Sequence, residues 1–453
     1  MSASLERDAA LREGFATDAS GLRMVPDAIA RPTGADEVVS IVRECASSRT
    51  AITAAGGQTS TTGASITDGG VLMSLRAMDR IVDLDERART IRVEPGAIVS
   101  DVKRAAAAAG LLFAPDPTSE ESCTIGGSIA CNASGARTLR YGATRSHVRA
   151  LTIVLASGET VELRRNPLEK NTVGYEFVHD PLDWFVGSEG TLGIVVAAEL
   201  ALLPLPARVT GLSIPFASEQ AALAFVVAAR RSVLSPRCLE YLDKLALGLT
   251  AIGHGDRMAP LGAAAAVYCE DAGDDDVDLE SWLGLAEAHH ALSDEVRVFE
   301  GEAALREARE ARHAIPATMN ERGARCRVDG GRKVSTDWAV PYPRLAEAVA
   351  AARGHARAAG VEQAVIYGHA GNGHPHQNFI ATNADEVKRI ERVVEETLRT
   401  VIAMGGTVAA EHGIGKIKRK WVGLQLSELQ LGAMRAMKRE LDPQGILAPG
   451  NVL

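Results

Sequence analysis

The sequence predicts an α+β fold in two main parts, and three observations support this expectation. Short apolar segments typical of β-strands alternate with Ala-rich segments typical of helices. The chain contains 43 glycines and only 4% aromatic residues, which fits helices packed on sheets with many tight turns. An apolar segment, Ile194–Leu203, ends at Pro204 and Pro206, and the sequence changes character after it.

Length, charge and cysteine usage limit the classes of protein. With 453 residues, 46% of them hydrophobic, the chain is long enough for two or three domains. A net charge of −9 argues against nucleic-acid binding. No apolar run is long enough to predict a membrane span, and Met1–Arg12 lacks the apolar segment of a secretory signal. The 6 cysteines form no Cys-x-x-Cys pair, so we expect reduced thiols in a cytoplasmic enzyme, with peripheral membrane contact left open.

The elements follow one another along the chain. Thr33 is expected to cap a helix that continues to about Ser48. Ser157-Gly158 joins two apolar runs and predicts a β-hairpin. The acidic run Glu270–Asp278 is expected to be a solvated surface turn. Three further helices are predicted in the middle region, at about Ser218–Arg231, Leu279–Glu295 and Gly301–Glu321.

Three loops rich in small residues follow apolar segments. The first is Gly56–Ser60, where consecutive glycines allow backbone N–H groups to converge on an anion; alone, this pattern fits a plain turn equally well. The second extends from Pro115 to Gly142, with recurring small and hydroxyl residues, and the third is Gly187–Ile194. Together the three loops suggest one large cofactor that is bound along its length.

A cluster of histidines lies in the C-terminal half, in the tract Gly368–Phe379. Its three histidines are His369, His374 and His376. If this tract is an extended strand, His374, His376 and Asn378 lie on one face. A Glu411-His412 pair follows later. A lone histidine is more often a hydrogen-bonded core residue, but imidazoles with a carboxylate form a common divalent-metal site, and this combination favours a metal.

These motifs occur in an order that resembles the FAD-linked D-2-hydroxy-acid dehydrogenases, of the vanillyl-alcohol oxidase / p-cresol methylhydroxylase (PCMH) fold. That family includes D-lactate, glycolate and D-2-hydroxyglutarate dehydrogenases. The resemblance extends from about Pro26 to the C-terminus. It implies a two-subdomain PCMH-type FAD-binding domain over residues 1–205. A substrate-binding cap with an antiparallel sheet flanked by helices is implied over residues 206–421, and a tail over residues 422–453 that returns to the FAD domain.

The resemblance implies non-covalent FAD, since no histidine in the three loops is placed for a covalent flavin link. The pyrophosphate is expected at Gly56–Ser60 and the isoalloxazine near Gly127 and Asn132. Gln58 stands where the family usually has a third glycine. The implied cofactor contacts are Gly56, Gly57, Gln58, Thr59, Ser60, Gly63, Pro117, Thr118, Thr124, Gly126, Gly127, Asn132, Gly135, Tyr141, Gly142, Glu189, Gly190, Gly193, Ile194 and Asn451.

The resemblance also implies a metal site. Its ligands are His369, His376 and Glu411, and we expect Zn²⁺, with Mn, Fe or Co as alternatives. His374 stands where the family often has Asn, so we expect a structural role for it and leave a ligand role open. His412 corresponds to the family's base.

Substrate contacts are implied at three positions. Asn378 helps to hold the substrate, and Arg312 and Lys333 match the family's carboxylate-binding residues. Arginine suits this role because its planar guanidinium forms two parallel hydrogen bonds with a carboxylate. Without the motif, both cations would be assigned to the surface. Nearby cations either bind a second carboxylate or are solvated: Arg325, Arg327 and Arg332.

The implied reaction is oxidation of a small D-2-hydroxy acid to the 2-oxo acid by hydride transfer to FAD. Electrons would then pass to oxygen, a quinone, a cytochrome or an electron-transfer flavoprotein, and a homodimer is one possible assembly. Three other functions stay open. A metal-dependent hydrolase leaves the glycine loops unexplained, a flavin ether-forming synthase shares the fold, and a non-catalytic flavin subunit leaves the metal motif unexplained.

Overall fold

The computed structural model describes residues 5–260, 262–361 and 364–453, so residues 1–4 of the predicted N-terminal segment lie outside it. The helices are α1 (Ala9–Gly14), α2 (Ala35–Ser48), α3 (Val99–Ala108), α4 (Ile125–Cys131), α5 (Thr138–Tyr141), α6 (Glu219–Arg231), α7 (Lys244–His254), α8 (Leu279–Ala288), α9 (Gly301–Arg325), α10 (Leu345–Ala358), α11 (Ala384–Ala403), α12 (Val422–Gln425) and α13 (Glu428–Leu441). Among the described residues, no helix is both long and apolar enough to cross a bilayer.

Within the described residues, the strands are mostly short and pair in four sheets. They are β1 (Ala28–Ala30), β2 (Ile52–Ala55), β3 (Val71–Ser74), β4 (Ile81–Asp85), β5 (Thr90–Val93), β6 (Leu111–Leu112), β7 (Val148–Val154), β8 (Thr160–Arg164), β9 (Ile194–Ala201), β10 (Leu203–Pro204), β11 (Arg208–Phe216), β12 (Pro236–Asp243), β13 (Ala265–Gly273), β14 (Arg297–Glu300), β15 (Gly330–Ser335), β16 (Val365–His369) and β17 (His374–Asn383). Helices and mainly antiparallel sheets together confirm the α+β class.

The chain divides into two compact units. Unit 1 comprises Met1–Ser134, Gly142–Leu205 and Glu411–Leu453, and unit 2 comprises Gly135–Tyr141 and Pro206–Ala410. We expected the C-terminal tail to begin at residue 422, whereas the last segment of unit 1 begins at Glu411. Within this last segment, the backbone N–H groups of Ile414 and Gly415 hydrogen-bond to the buried Glu189 of the same unit.

Unit 1 contains a three-stranded parallel sheet, β1-β3-β2, and a five-stranded antiparallel sheet, β4-β5-β9-β7-β8. Helix α2 packs on the core of the first sheet because its apolar residues recur at helical spacing. The expected cap at Thr33 is wrong. Gly34 is the N-cap, and Thr33 donates instead to the Glu37 carboxylate in the first turn. The predicted hairpin is present as β7 and β8, with Ala150 opposite Arg164.

Unit 2 is built on a seven-stranded antiparallel sheet in the order β14-β11-β13-β12-β16-β17-β15. Helix α9 packs on one face, where Leu305, Ala311 and Ile315 join Leu242 of β12 and Tyr367 of β16 in one core cluster. Leu242 and Tyr367 are directly paired across β12 and β16, so they share that face. Glu240 of β12 lies on the same face and contacts Arg312 of α9.

The acidic run that was expected to be a surface turn begins inside this sheet. Glu270 lies in β13 and is only 2% exposed. Its carboxylate accepts hydrogen bonds from Nε of Arg237 at 2.7 Å and from the Tyr268 hydroxyl at 2.9 Å. The expectation fails for this residue because arginine partners from distant segments compensate the buried charge.

Candidate functional site

The predicted histidine tract forms the β16–β17 hairpin of unit 2. Antiparallel pairing sets His369 opposite His374 and Tyr367 opposite His376, and Asn378 of β17 lies opposite Ser335 of β15. Because side chains alternate along a strand, His374, His376 and Asn378 share one face, as expected. The three imidazole centroids lie 4.7–5.5 Å from one another, and all three side chains are buried.

One carboxylate that the sequence pattern did not predict lies beside the histidines. Asp337, His374 and His376 each offer a ligand atom, and these atoms lie within 4.8 Å of one another. Asp337 Oδ1 is 3.1 Å from His374 Nε2. Two buried imidazoles and a buried carboxylate fit a divalent cation. Asp337 also accepts the backbone N–H of Ala410, the residue that directly precedes the predicted ligand Glu411.

His369, the first predicted ligand, faces a second buried carboxylate that was also missed. Its Nδ1 is 2.6 Å from Oε1 of Glu240, and Oε2 of Glu240 accepts a hydrogen bond from Nε of Arg312 at 2.9 Å. The Arg312 guanidinium lies over the Tyr367 ring, 5.0 Å from its centroid. Burial raises the pKa of Glu240, but the charges and hydrogen bonds of His369 and Arg312 outweigh burial and lower the pKa to about 2. The predicted ligand role of His369 stays a prediction.

Asn378 has an unsatisfied side chain. It is 0% exposed, and neither its amide nitrogen nor its amide oxygen has a hydrogen-bond partner among the described residues. A buried amide without partners is costly, so this side chain is suited to a bound polar ligand.

The predicted cation Lys333 lies in β15, two residues before Ser335, which is paired with Asn378. Its Nζ donates to Asn320 Oδ1 at 2.8 Å, and burial lowers its pKa to about 8. The neighbouring arginines give little support for a second carboxylate site. Arg325 and Arg327 are exposed, and Arg332 pairs with Glu391 at 2.8 Å.

In unit 1, the predicted pyrophosphate loop offers a row of backbone donors. The N–H groups of residues 57–60 have no acceptor within the described part of the chain, and these residues are half-buried. A Cβ on Gly57 would lie 2.1 Å from the Ser122 carbonyl oxygen, so only glycine fits there. Gln58 has a φ of 53°, and its amide donates to the carbonyls of Phe15 and Thr17. Consecutive free N–H groups fit an anionic pyrophosphate.

Glu189 was predicted to contact the cofactor, but its carboxylate has other partners. It accepts the N–H of Ile414 at 2.5 Å and of Gly415 at 2.7 Å. Gly413 has a φ of 74°, and a Cβ there would lie 2.5 Å from Oε1 of Glu189. Burial raises the pKa of Glu189, although both N–H donors oppose this. Glu189 therefore holds the loop that follows His412.

That loop carries the predicted ligand and the predicted base next to each other. His412 Nε2 lies 3.3 Å from Oε1 of Glu411. The His412 side chain is 28% exposed, so its imidazole is accessible to solvent.

Other predicted cofactor residues have structural partners in unit 1. Asn132 adopts a φ of 49° and accepts the Arg145 N–H at 2.9 Å. Asn451 donates to the Ala64 carbonyl and accepts from Lys416. Thr124 caps α4, and Ile194 is part of the core. The other predicted cofactor residues of unit 1 are Gly56, Thr59, Ser60, Gly63, Pro117, Thr118, Gly126, Gly127, Gly142, Gly190 and Gly193. Two predicted cofactor residues, Gly135 and Tyr141, lie in a segment of unit 2.

Comparison with known proteins identifies both halves of the chain. The family "FAD linked oxidases, C-terminal domain" matches residues 205–452, and the family "FAD binding domain" matches residues 26–164. The chain is 33% identical over 435 residues to glycolate oxidase subunit GlcD of Bacillus subtilis (strain 168), with 94% of this chain and 89% of that one covered. It is 32% identical over 438 residues to D-2-hydroxyglutarate dehydrogenase of Xanthomonas citri pv. viticola, with the same coverage of 94% and 89%.

A solved structure of alkyldihydroxyacetonephosphate synthase has the same fold. The TM-score is 0.73 at 18% identity, with 98% of this chain and 82% of that chain covered. The matches define an FAD-dependent oxidoreductase with a PCMH-type fold. Within that class, the chain belongs to the FAD-linked D-2-hydroxy-acid dehydrogenase family. A metal-dependent hydrolase is thereby excluded.

Proposed function

We propose that this enzyme oxidises a D-2-hydroxy acid of the D-lactate, glycolate or D-2-hydroxyglutarate class to the 2-oxo acid, with non-covalent FAD and a divalent cation. The observation that carries the proposal is the buried face of β17. There, His374 and His376 converge with Asp337, and the amide of Asn378 on the same face lacks partners. A metal-binding group beside an unsatisfied amide suits a small hydroxylated anion.

Residues of unit 1 provide the pyrophosphate part of the cofactor site. The backbone N–H groups of residues 57–60 bind the pyrophosphate, because none of them donates to an acceptor in the described residues. Glycine at position 57 lets the loop lie against the Ser122 carbonyl. FAD supplies the hydride acceptor when it is bound. The protein's part is to hold the cofactor and to exclude competing reactions.

Four residues are proposed to hold the cation. His369, His376 and Glu411 follow from the family resemblance, and His374 is added because its ring lies 4.7 Å from that of His376. Glu240 orients His369 through the contact at Nδ1, as carboxylates commonly do for metal-bound histidines, and Asp337 belongs to the same cluster as His374 and His376. A cation held there, expected to be zinc, would supply the positive charge that lowers the pKa of a substrate hydroxyl.

The remaining residues bind the substrate and accept its proton. Arg312 binds the carboxylate through its planar guanidinium, which the Nε contact with Glu240 orients. Lys333 adds a second donor, and Asn378 donates to and accepts from the bound acid. His412 accepts the hydroxyl proton, since a neutral imidazole is an effective base near pH 7.

Anaerobic stopped-flow mixing of the purified flavoprotein with D- and L-2-hydroxy acids tests the function. We expect D-lactate, glycolate or D-2-hydroxyglutarate to bleach the flavin, with the L enantiomers of the chiral acids much slower. Failure of every 2-hydroxy acid to reduce the flavin would contradict the proposal and favour a non-catalytic flavin subunit or an ether-forming synthase. Mixing the reduced enzyme with oxygen, a quinone, cytochrome c or an electron-transfer flavoprotein then identifies the electron acceptor.

Metal analysis of alanine variants tests the ligand set. We expect H369A, H374A and H376A to retain much less metal than the wild type. His355 is the control, because its Nε2 lies 3.1 Å from Thr400 Oγ1 in the same unit but away from the cluster, so H355A should retain its metal. Full metal content in H374A would remove His374 from the ligands.

A further inference from the structure

The carboxylate of Glu240 connects two groups that serve different parts of the proposed site. Glu240 is 2% exposed, and its two oxygens have different partners. Oε1 lies 2.6 Å from Nδ1 of His369, and Oε2 lies 2.9 Å from Nε of Arg312. One buried carboxylate thus contacts both a proposed metal ligand and the proposed carboxylate-binding residue.

The sheet and α9 fix this arrangement. Tyr241 of β12 pairs with Gly368 of β16, so Glu240 and His369 are neighbours on adjacent strands. Arg312 reaches Glu240 from α9, where its guanidinium lies over the Tyr367 ring. All three residues lie in regular elements, in β12, β16 and α9. A change in the Glu240 side chain would therefore affect both of its partners.

The two contacts constrain the side chains of both partners. When Nδ1 of His369 donates to Glu240, Nε2 is the nitrogen that carries a lone pair for a cation. When Nε of Arg312 donates to Glu240, that hydrogen bond fixes the orientation of the planar guanidinium. Glu240 therefore selects the imidazole tautomer and the guanidinium orientation together.

We propose that Glu240 is a positioning residue that couples cation binding at His369 to recognition of the substrate carboxylate by Arg312. This inference rests on the proposed function. A glutamine at this position has a single acceptor oxygen, so one of the two donors would lose its partner. The side-chain NH₂ of that glutamine would face the donor that has lost its acceptor, and two N–H groups would then oppose each other. Both ligand sites should weaken, although neither His369 nor Arg312 is altered.

Glu270 provides a matched control. It lies in the neighbouring strand β13, is also 2% exposed, and accepts a hydrogen bond from Nε of Arg237 at 2.7 Å. Its other partners are arginines and a tyrosine, with no histidine among its contacts in the described residues. An E270Q variant therefore removes an equally buried arginine-bound carboxylate without touching His369 or Arg312.

The experiment titrates chelator-treated, FAD-bound wild type, E240Q and E270Q with Co²⁺, followed by its visible absorption. We expect E240Q to bind Co²⁺ about 10- to 100-fold more weakly than the wild type, the usual effect of removing a carboxylate that orients a ligand histidine. E270Q should bind Co²⁺ like the wild type. With saturating metal, the KM of E240Q for D-lactate, or for whichever 2-hydroxy acid the wild type uses, should rise more than its kcat falls.

Equal Co²⁺ affinity in E240Q and E270Q would overturn the inference, and so would a loss of kcat with unchanged KM. If E240Q does not fold, the pair E240D and E270D makes the same comparison, because each aspartate withdraws the carboxylate from its partners. E240D should then bind Co²⁺ more weakly than E270D, and equal binding would refute the coupling. Failure of the proposed function is distinguishable, because then the wild type itself binds no Co²⁺ or is reduced by no 2-hydroxy acid.

Discussion

Replacement of Glu189 by glutamine should loosen the loop that carries Glu411 and His412. The Glu189 carboxylate accepts two backbone N–H groups, from Ile414 at 2.5 Å and from Gly415 at 2.7 Å. The E189Q side chain keeps one acceptor oxygen, so one buried donor loses its partner. That loss costs about 1–3 kcal/mol. A value of about 2 kcal/mol shifts the balance between ordered and displaced loop by roughly 30-fold.

Two assays measure this change. Hydrogen exchange at the Ile414 and Gly415 amides reports the loop directly and should accelerate by about 5- to 30-fold in E189Q. Flavin reduction by the substrate should slow by a similar factor while the FAD content stays unchanged, because the donors of the pyrophosphate loop are not altered.

Glu199 gives a suitable control for this variant. It lies in β9 and pairs with exposed Arg164 at 2.7 Å, and a surface pair of this kind contributes only about 0–1 kcal/mol. E199Q should therefore exchange and react like the wild type. Wild-type amide exchange at Ile414 and Gly415 in E189Q would show that Glu189 does not hold the loop.

Three further predictions follow from the site and the fold. In H412A, the rate of flavin reduction by the substrate should be about 10²- to 10⁴-fold lower in stopped-flow measurements. A rate near that of the wild type would exclude His412 as the base. Chelator treatment should abolish flavin reduction but leave the flavin spectrum intact, with activity restored by Zn²⁺ or Mn²⁺; full activity in protein shown to be metal-free would exclude a catalytic cation. For Glu270, arginine charges outweigh burial and lower the folded-state pKa from 4.5 to about 2. The contribution of the ionised carboxylate to stability is thus present above pH 4.5 and is lost as pH falls towards 2. Between pH 7 and pH 4, the free energy of unfolding of the wild type, measured with denaturant, should fall by about 1 kcal/mol more than that of E270Q. Equal losses in the two proteins would contradict the lowered pKa.

Local patterns predicted the parts of the site that depend on local geometry. Alternation along an extended strand places His374, His376 and Asn378 on one face, whatever the rest of the sheet does. The glycine loop at 56–60 was likewise predictable, since consecutive glycines allow a backbone in which neighbouring N–H groups have no acceptor among the described residues. By contrast, the expected cap at Thr33 failed by one residue, because the Glu37 carboxylate provides a competing partner for Thr33.

The two carboxylates beside the histidines were not predictable, because strand pairing brings them there from distant segments. Glu240 lies 129 positions before His369, and no periodicity around Glu240 marks it as functional. Asp337 is likewise a single acidic residue after a strand. Glu270 was assigned to a surface turn from its acidic neighbours, although long-range contacts with arginines permit its burial.

The register of the central strands determines the chemistry of the whole face. The pairing that sets His369 opposite His374 also sets Tyr367 opposite His376, and the β12–β16 pairing brings Glu240 beside His369. A shift of one residue in β16 would turn His369 to the other face of the sheet, away from Glu240 and the histidines of β17. The buried ion pair between Glu240 and Arg312 opposes such a shift, because breaking it would leave an uncompensated charge beneath α9. Glu240 therefore has a structural reason to be retained as well as the proposed functional one. Metal affinity and KM, rather than folding stability, are the measurements that separate the two roles.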